Sequence, residues 1–146
     1  MIAQVVLSFL ATVSFAVLFH VPRQQYIYCG LTGVCGWLCH LLVTSSGGSV
    51  VLAALVAAVT LTFVSRIFAV LRKMPVTIFL VCGIFPIVPG AGIYYTAYYI
   101  MMNENALALA KGMETLKIAA AISLGIALVI SLPYRLFSKT KPANRY

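Results

Sequence analysis

The stretch Gly83–Tyr99, GIFPIVPGAGIYYTAYY, holds the residues best suited to bind a solute. Pro86 and Pro89 have no N–H and crowd the carbonyl four residues earlier, so the carbonyls of Cys82 and Phe85 lose their usual helical partners. Gly90 and Gly92 follow at once and permit backbone conformations closed to other residues. The chemistry this allows is electrostatic. A helix restarting after the break presents free amides, at about Ala91–Tyr94, and turns the positive end of its dipole toward an anionic group such as a carboxylate. Tyr94, Tyr95, Tyr98 and Tyr99 pair at i,i+4 spacing beyond the break, and Tyr94 and Tyr95 lie nearest to it. The candidate substrate-binding residues are therefore Pro86, Pro89, Gly90, Ala91, Gly92, Tyr94 and Tyr95. Two plainer readings stand beside this one: a proline kink that only shapes packing, and a tyrosine belt at the membrane interface.

Other chemistries lack their residues. The chain has no GxxxxGK[ST] phosphate loop, no GxSxG and no HExxH, so no catalytic residue and no enzymatic activity are expected. Cys35 and Cys39 share a helical face, but two thiols without further ligands make no metal site, and Cys29 and Cys82 read as inert membrane thiols. Neither a metal nor a cofactor is expected.

The elements that must position the break follow from composition. The 146 residues are 63% hydrophobic and 8% charged, with a mean hydropathy of +1.08. A soluble domain is roughly half apolar and about a quarter charged. A water-soluble enzyme and a disordered chain are both excluded, which leaves an all-α integral membrane protein forming a single transmembrane domain over residues 1–146. Apolar runs predict about five transmembrane helices, at 2–19, 26–43, 50–71, 76–100 and 116–132, each near the ~20 residues that cross a bilayer. The fourth is broken near 86–92, and its centre at about Val88 puts the break near the bilayer midplane. The first run has no basic residue before Arg23, which favours a retained helix over a secretory signal.

The formal net charge of +8 comes from ten Lys and Arg against two acids, Glu104 and Glu114. The basic residues flank apolar runs instead of forming a stripe, which argues for membrane orientation and against nucleic acid. Arg23, Arg72, Lys73 and a basic tail over 133–146 (Arg135, Lys139, Lys141, Arg145) fall on one side of a five-span arrangement. Lys111 and Lys117 fall on the other. The positive-inside rule then sets the N-terminus outside and the C-terminus in the cytoplasm of a multi-pass protein of the cell (plasma) membrane. The connector Asn103–Glu114 is expected along the outer interface. Both carboxylates would then lie outside the membrane, so a larger partner would have to supply any group that titrates during transport. Arg66, inside the third run, is expected to snorkel toward the cytoplasmic surface. His20 and His40 are expected at opposite interfaces.

Three segments carry a resemblance. FPIVPGAGIYYTAYY resembles the PxxPGxxxY signature of the threonine/serine exporter family. LFHVPRQQYIYCGLTGVCGW is similar to that family's F-x-V-P-R segment and its glycine-spaced helix ending in Gly-Trp, with His20 where Asn is expected. KGMETLKIAAAISLGIALVISLP resembles its last helix. The likeness is to the C-terminal half of the family, encoded alone as the small subunit of a split two-component exporter. It implies secondary-active export of small amino acids or related small carboxylates. The implied partners are a larger membrane subunit resembling the N-terminal half, membrane lipid and the substrate, with a homo-oligomer as a further possibility. The alternatives are a non-transporting assembly or regulatory subunit, and a homo-oligomeric channel.

Overall fold

The computed structural model describes residues 2–133, and every element in them is helical. These are α1 (Ile2–Leu18), a 3-10 turn (Arg23–Gln25), α2 (Tyr26–Ser45), α3 (Val50–Arg72), α4 (Val76–Ile84), α5 (Gly90–Met101) and α6 (Asn105–Ile130). The basic tail expected over 133–146, with Arg135, Lys139, Lys141 and Arg145, lies outside the described residues beyond Pro133.

Four helices, α1, α2, α3 and α5, stop by one device. His20, Lys73 and Asn103 take left-handed φ values of 54°, 52° and 60°, and Gly47 takes 80°. The next residue's N–H then bonds back five residues, as in Val21 N–H to Ala16 O (3.0 Å) and Glu104 N–H to Tyr99 O (2.9 Å). That geometry closes the last turn and satisfies its carbonyls. It also explains His20, since His and Asn are the non-glycine residues that tolerate this conformation best. At the opposite end of a helix, Ser49 caps α3 by accepting the Leu52 N–H at 3.2 Å.

α3 is the hub. It packs against α2, α4 and α6, while α1 covers α2 and α4. Alanines at 54, 57 and 58 on α3, with Leu61, meet Leu80 of α4, Ile87 of the interruption, and Ile118 and Ile122 of α6 in one apolar cluster. Small residues let the backbones approach. A Cβ on Gly125 would come within 2.9 Å of the Ala58 Cβ and 3.0 Å of the Leu55 carbonyl. A second cluster joins Ala16, Val21, Cys29, Ala69, Phe79 and Cys82 at the other end.

Three helical stretches are long and apolar enough to cross a membrane: Arg23–Ser45, Val50–Arg72 and Asn105–Ile130. The apolar stretch of α1, Ala3–Leu18, is shorter, and α4 and α5 have 9 and 12 residues. Two boundaries depart from the sequence reading. The last helix does not begin at 116; it begins at Asn105 and absorbs the connector residues up to Glu114. Ala106–Ala110 alternate Ala and Leu, both strong helix formers, and only Met102, Asn103 and Glu104 separate α6 from α5. The interruption spans 85–89 instead of 86–92, and Gly90 and Gly92 are helical residues of α5. Neither glycine has a positive φ. Gly92 serves close approach, because a Cβ there would overlap the Thr115 side chain of α6.

Arg66 does not snorkel. It is 8% exposed, and its guanidinium donates to the carbonyls of Val129, Ile130 and Leu132. A fixed cation thus caps the C-terminal end of α6, where the dipole is negative and, of the three carbonyls, Val129 alone also accepts a backbone N–H, that of Leu132 at 3.2 Å.

Candidate functional site

The interruption is held by its apolar residues. The Phe85 ring stacks on Phe15 of α1, with centroids 3.9 Å apart and planes 12° from parallel. Ile87, 6% exposed, enters the α3–α6 core. Pinned at these two points, the chain turns through Val88 and Pro89. The Gly90 N–H bonds to Val88 O at 2.8 Å, and Pro89 has φ −76° and ψ 58°, the geometry of an inverse γ-turn.

α5 starts from that turn without a side-chain cap. The Ile93 N–H reaches Pro89 O at 3.1 Å, as in an ordinary first turn. The Gly90 N–H is spent on Val88, which leaves the N–H groups of Ala91 and Gly92 with no acceptor among the described residues. The free amides are therefore two, at the near edge of the Ala91–Tyr94 range the sequence suggests.

These amides border a cavity of about 310 Å³. Its wall includes Pro86, Pro89, Gly90, Ala91, Gly92 and Tyr95, together with Trp37 and His40 of α2, Val50 of α3, and Lys111, Glu114 and Ile118 of α6. Of the residues singled out from sequence, only Tyr94 is absent from this wall. Its side chain is 64% exposed, and it stacks on Tyr98 with centroids 6.4 Å apart.

Four members of the wall escaped the sequence reading. Lys111 and Glu114 looked like connector residues, yet α6 carries them past the start of α5. Lys111 Nζ donates to Glu114 Oε2 at 2.7 Å. Trp37 and His40 lie one turn apart on α2 with rings 5.3 Å apart and 7° from parallel. The Trp37 Nε1 and His40 Nδ1 atoms are buried and have no partner among the described residues, an arrangement native proteins rarely leave without a role. The i,i+3 spacing of Trp37 and His40 was a usable signal. The match of that face to the break was not.

Two further hollows adjoin the site. Trp37 and Pro86 also line a hollow of about 230 Å³ beside Gln4, Leu7, Ser8 and Ala11 of α1, so they form the partition between the two spaces. On the other face of the α5–α6 pair lies an apolar groove of about 550 Å³ along Ile93, Thr96, Ala97, Ile100, Gly112 and Leu116. Among the described residues no cluster of His, Cys, Asp or Glu has the size needed to hold a metal ion.

Electrostatically, the wall carries the unbonded amides of Ala91 and Gly92 and the ammonium of Lys111. Glu114 supplies the single carboxylate of the wall. Such a surface can hold a small polar solute by charge and hydrogen bonding.

A sequence model of the family described as "Threonine/Serine exporter, ThrE" matches residues 4–132. No curated protein matches the chain, and no solved structure matches it.

Proposed function

The chain belongs to the threonine/serine exporter family, and from that premise we propose that it is the small subunit of a secondary-active exporter whose substrate path includes the cavity at the start of α5. The observation that carries this reading is the pair of free amides, Ala91 and Gly92, at an interrupted helix beside a cavity whose largely apolar wall also carries Lys111 and Glu114. Transporters place broken helices at substrate sites because half-helix termini bring fixed partial charge into a medium that otherwise excludes it. Pro86, Pro89, Gly90, Ala91, Gly92 and Tyr95 form the contact surface. Tyr94 belongs instead to the outer face of α5.

In this reading α4 and α5 together make one crossing, with the interruption near mid-bilayer, so the chain crosses five times. The N-terminus is outside and the basic tail is in the cytoplasm of the plasma membrane. Substrates are small amino acids or related carboxylates. A larger membrane subunit resembling the family's N-terminal half covers α5. That helix has no buried residue, and its Tyr94, Tyr95 and Tyr98 are 64%, 46% and 42% exposed. A partner of opposite topology would complete the inverted-repeat plan common among secondary transporters.

The test is reconstitution. The full chain is purified from native membranes with whatever larger chain accompanies it, and uptake of labelled L-serine and L-threonine into proteoliposomes is measured with each chain alone and with both. Flux that requires both chains supports the proposal. Flux from the larger chain alone would make this one an assembly subunit.

A further inference from the structure

Among the described residues the one ion pair joins Lys111 to Glu114, and it sits on the wall of the cavity at the start of α5. The midpoint of the 26-residue α6 falls between Lys117 and Ile118. At about 1.5 Å per residue, Glu114 lies about 5 Å and Lys111 about 10 Å from that midpoint. Packing sets the same level independently. Gly92 faces Thr115 and Gly112 faces Thr96, so Glu114 is level with the first turn of α5. Glu114 thus lies nine residues inside α6, beside the turn from which α5 restarts. Ionisable groups on apolar helices generally mark a ligand or ion path.

The pair is open to exchange. The side chains of Lys111 and Glu114 are 38% and 46% exposed, so neither is sealed against the other. The Ala91 and Gly92 amides share this wall, with Glu114 level with them and Lys111 one turn away, level with Tyr95 and Thr96. Tyr95 of α5 and His40 of α2 face the same space, and no second carboxylate does. The wall thus offers several donors for a carboxylate and one acceptor with full negative charge, a few ångströms apart. That is the charge pattern of an α-amino acid with its signs reversed.

We propose that the Lys111–Glu114 pair is a stand-in for bound substrate. An amino acid enters by giving its carboxylate to Lys111 and the two amides, and its ammonium to Glu114. Each protein charge exchanges one partner for another, so none is left uncompensated. Glu114 is then the residue that separates amino acids from carboxylates lacking the amino group. The inference rests on the cavity being the substrate site proposed above.

The test compares L-serine with 3-hydroxypropanoate, the same molecule without its amino group. Equilibrium binding of each labelled compound is measured on the full chain, purified with its companion chain, as wild type, Glu114→Gln and Glu114→Asp. Glu114→Gln keeps the size of the side chain and removes its charge. The expected result is an affinity for L-serine about tenfold or more lower, as for loss of a charge-assisted hydrogen bond, with 3-hydroxypropanoate held within twofold. Glu114→Asp should recover part of the L-serine affinity. Equal losses for both ligands, or no loss, would overturn the role of Glu114 while leaving the site itself in place. Wild type that binds neither compound would overturn the site, and this inference with it.

Discussion

The two helices that flank the interruption share an apolar composition and have opposite surroundings. α4 packs against α1, α2 and α3, with Phe79, Leu80, Cys82 and Gly83 buried. α5 packs on α6 and buries none of its residues. What separates them is the turn at Phe85–Pro89, which redirects the chain out of the core. One half of the interrupted segment is therefore an anchor, and the other is an arm carrying free amides beside a cavity. In a membrane protein an exposed apolar helix meets lipid or another chain, so the arm is also the surface where assembly and substrate binding can be combined.

The contrast can be broken by substitution. The largest effect is expected at Gly90, whose hypothetical Cβ meets nothing within 4 Å. Gly90→Leu should fill the cavity without backbone strain and abolish serine and threonine flux, while the melting temperature in detergent stays that of wild type. Flux at the wild-type level would show that the cavity lies off the substrate path. On the anchor side, Phe79 is 0% exposed. Phe79→Ala should cost on the order of 3 kcal/mol of stability, measured by denaturant unfolding in micelles. A cost below about 1 kcal/mol would remove the claim that α4 is the anchored half.

Arg66 holds the far end of α6 and so indirectly supports the arm. Arg66→Met should leave the carbonyls of Ile130 and Leu132 short of donors and cost about 1–3 kcal/mol, with faster hydrogen exchange confined to the last turn of α6. Unchanged exchange there would mean that water replaces the guanidinium. The smallest expected difference sharpens the comparison within α5 itself. Tyr95 lines the cavity and Tyr94 does not. Tyr95→Phe should weaken substrate binding by roughly threefold, the size of one neutral hydrogen bond, whereas Tyr94→Phe should leave it unchanged. Equal effects from both would assign the tyrosines to a common packing role.

The sequence reading succeeded where local chemistry suffices. Prolines at 86 and 89 kink or break a helix, and α4 ends at Ile84, so the position of the interruption was legible to within a residue or two at its start. Its far edge was not, because glycines at 90 and 92 are compatible with either a break or a helix. Which one holds depends on Thr115, which packs against Gly92 from α6. The same limit applies to Glu114. Polarity marked Asn103–Glu114 as a connector, but local helix formers extend α6 through most of that stretch and bring Glu114 alongside the first turn of α5. Arg66 was misjudged for a related reason. Its partners, the carbonyls of Val129, Ile130 and Leu132, stand more than sixty positions away in the chain.

Composition and residue order alone therefore determined that the chain is helical and membrane-bound, where it breaks, and which family it resembles. These follow from hydropathy, from proline's missing N–H and from short motifs, all properties of neighbouring residues. Only the tertiary structure decided which amides are free, which half of the interrupted segment is buried, and that Trp37, His40, Lys111 and Glu114 meet at one cavity. Those facts depend on contacts between helices far apart in sequence. Their energies arise from shape and charge brought together by packing, and no single segment contains that information.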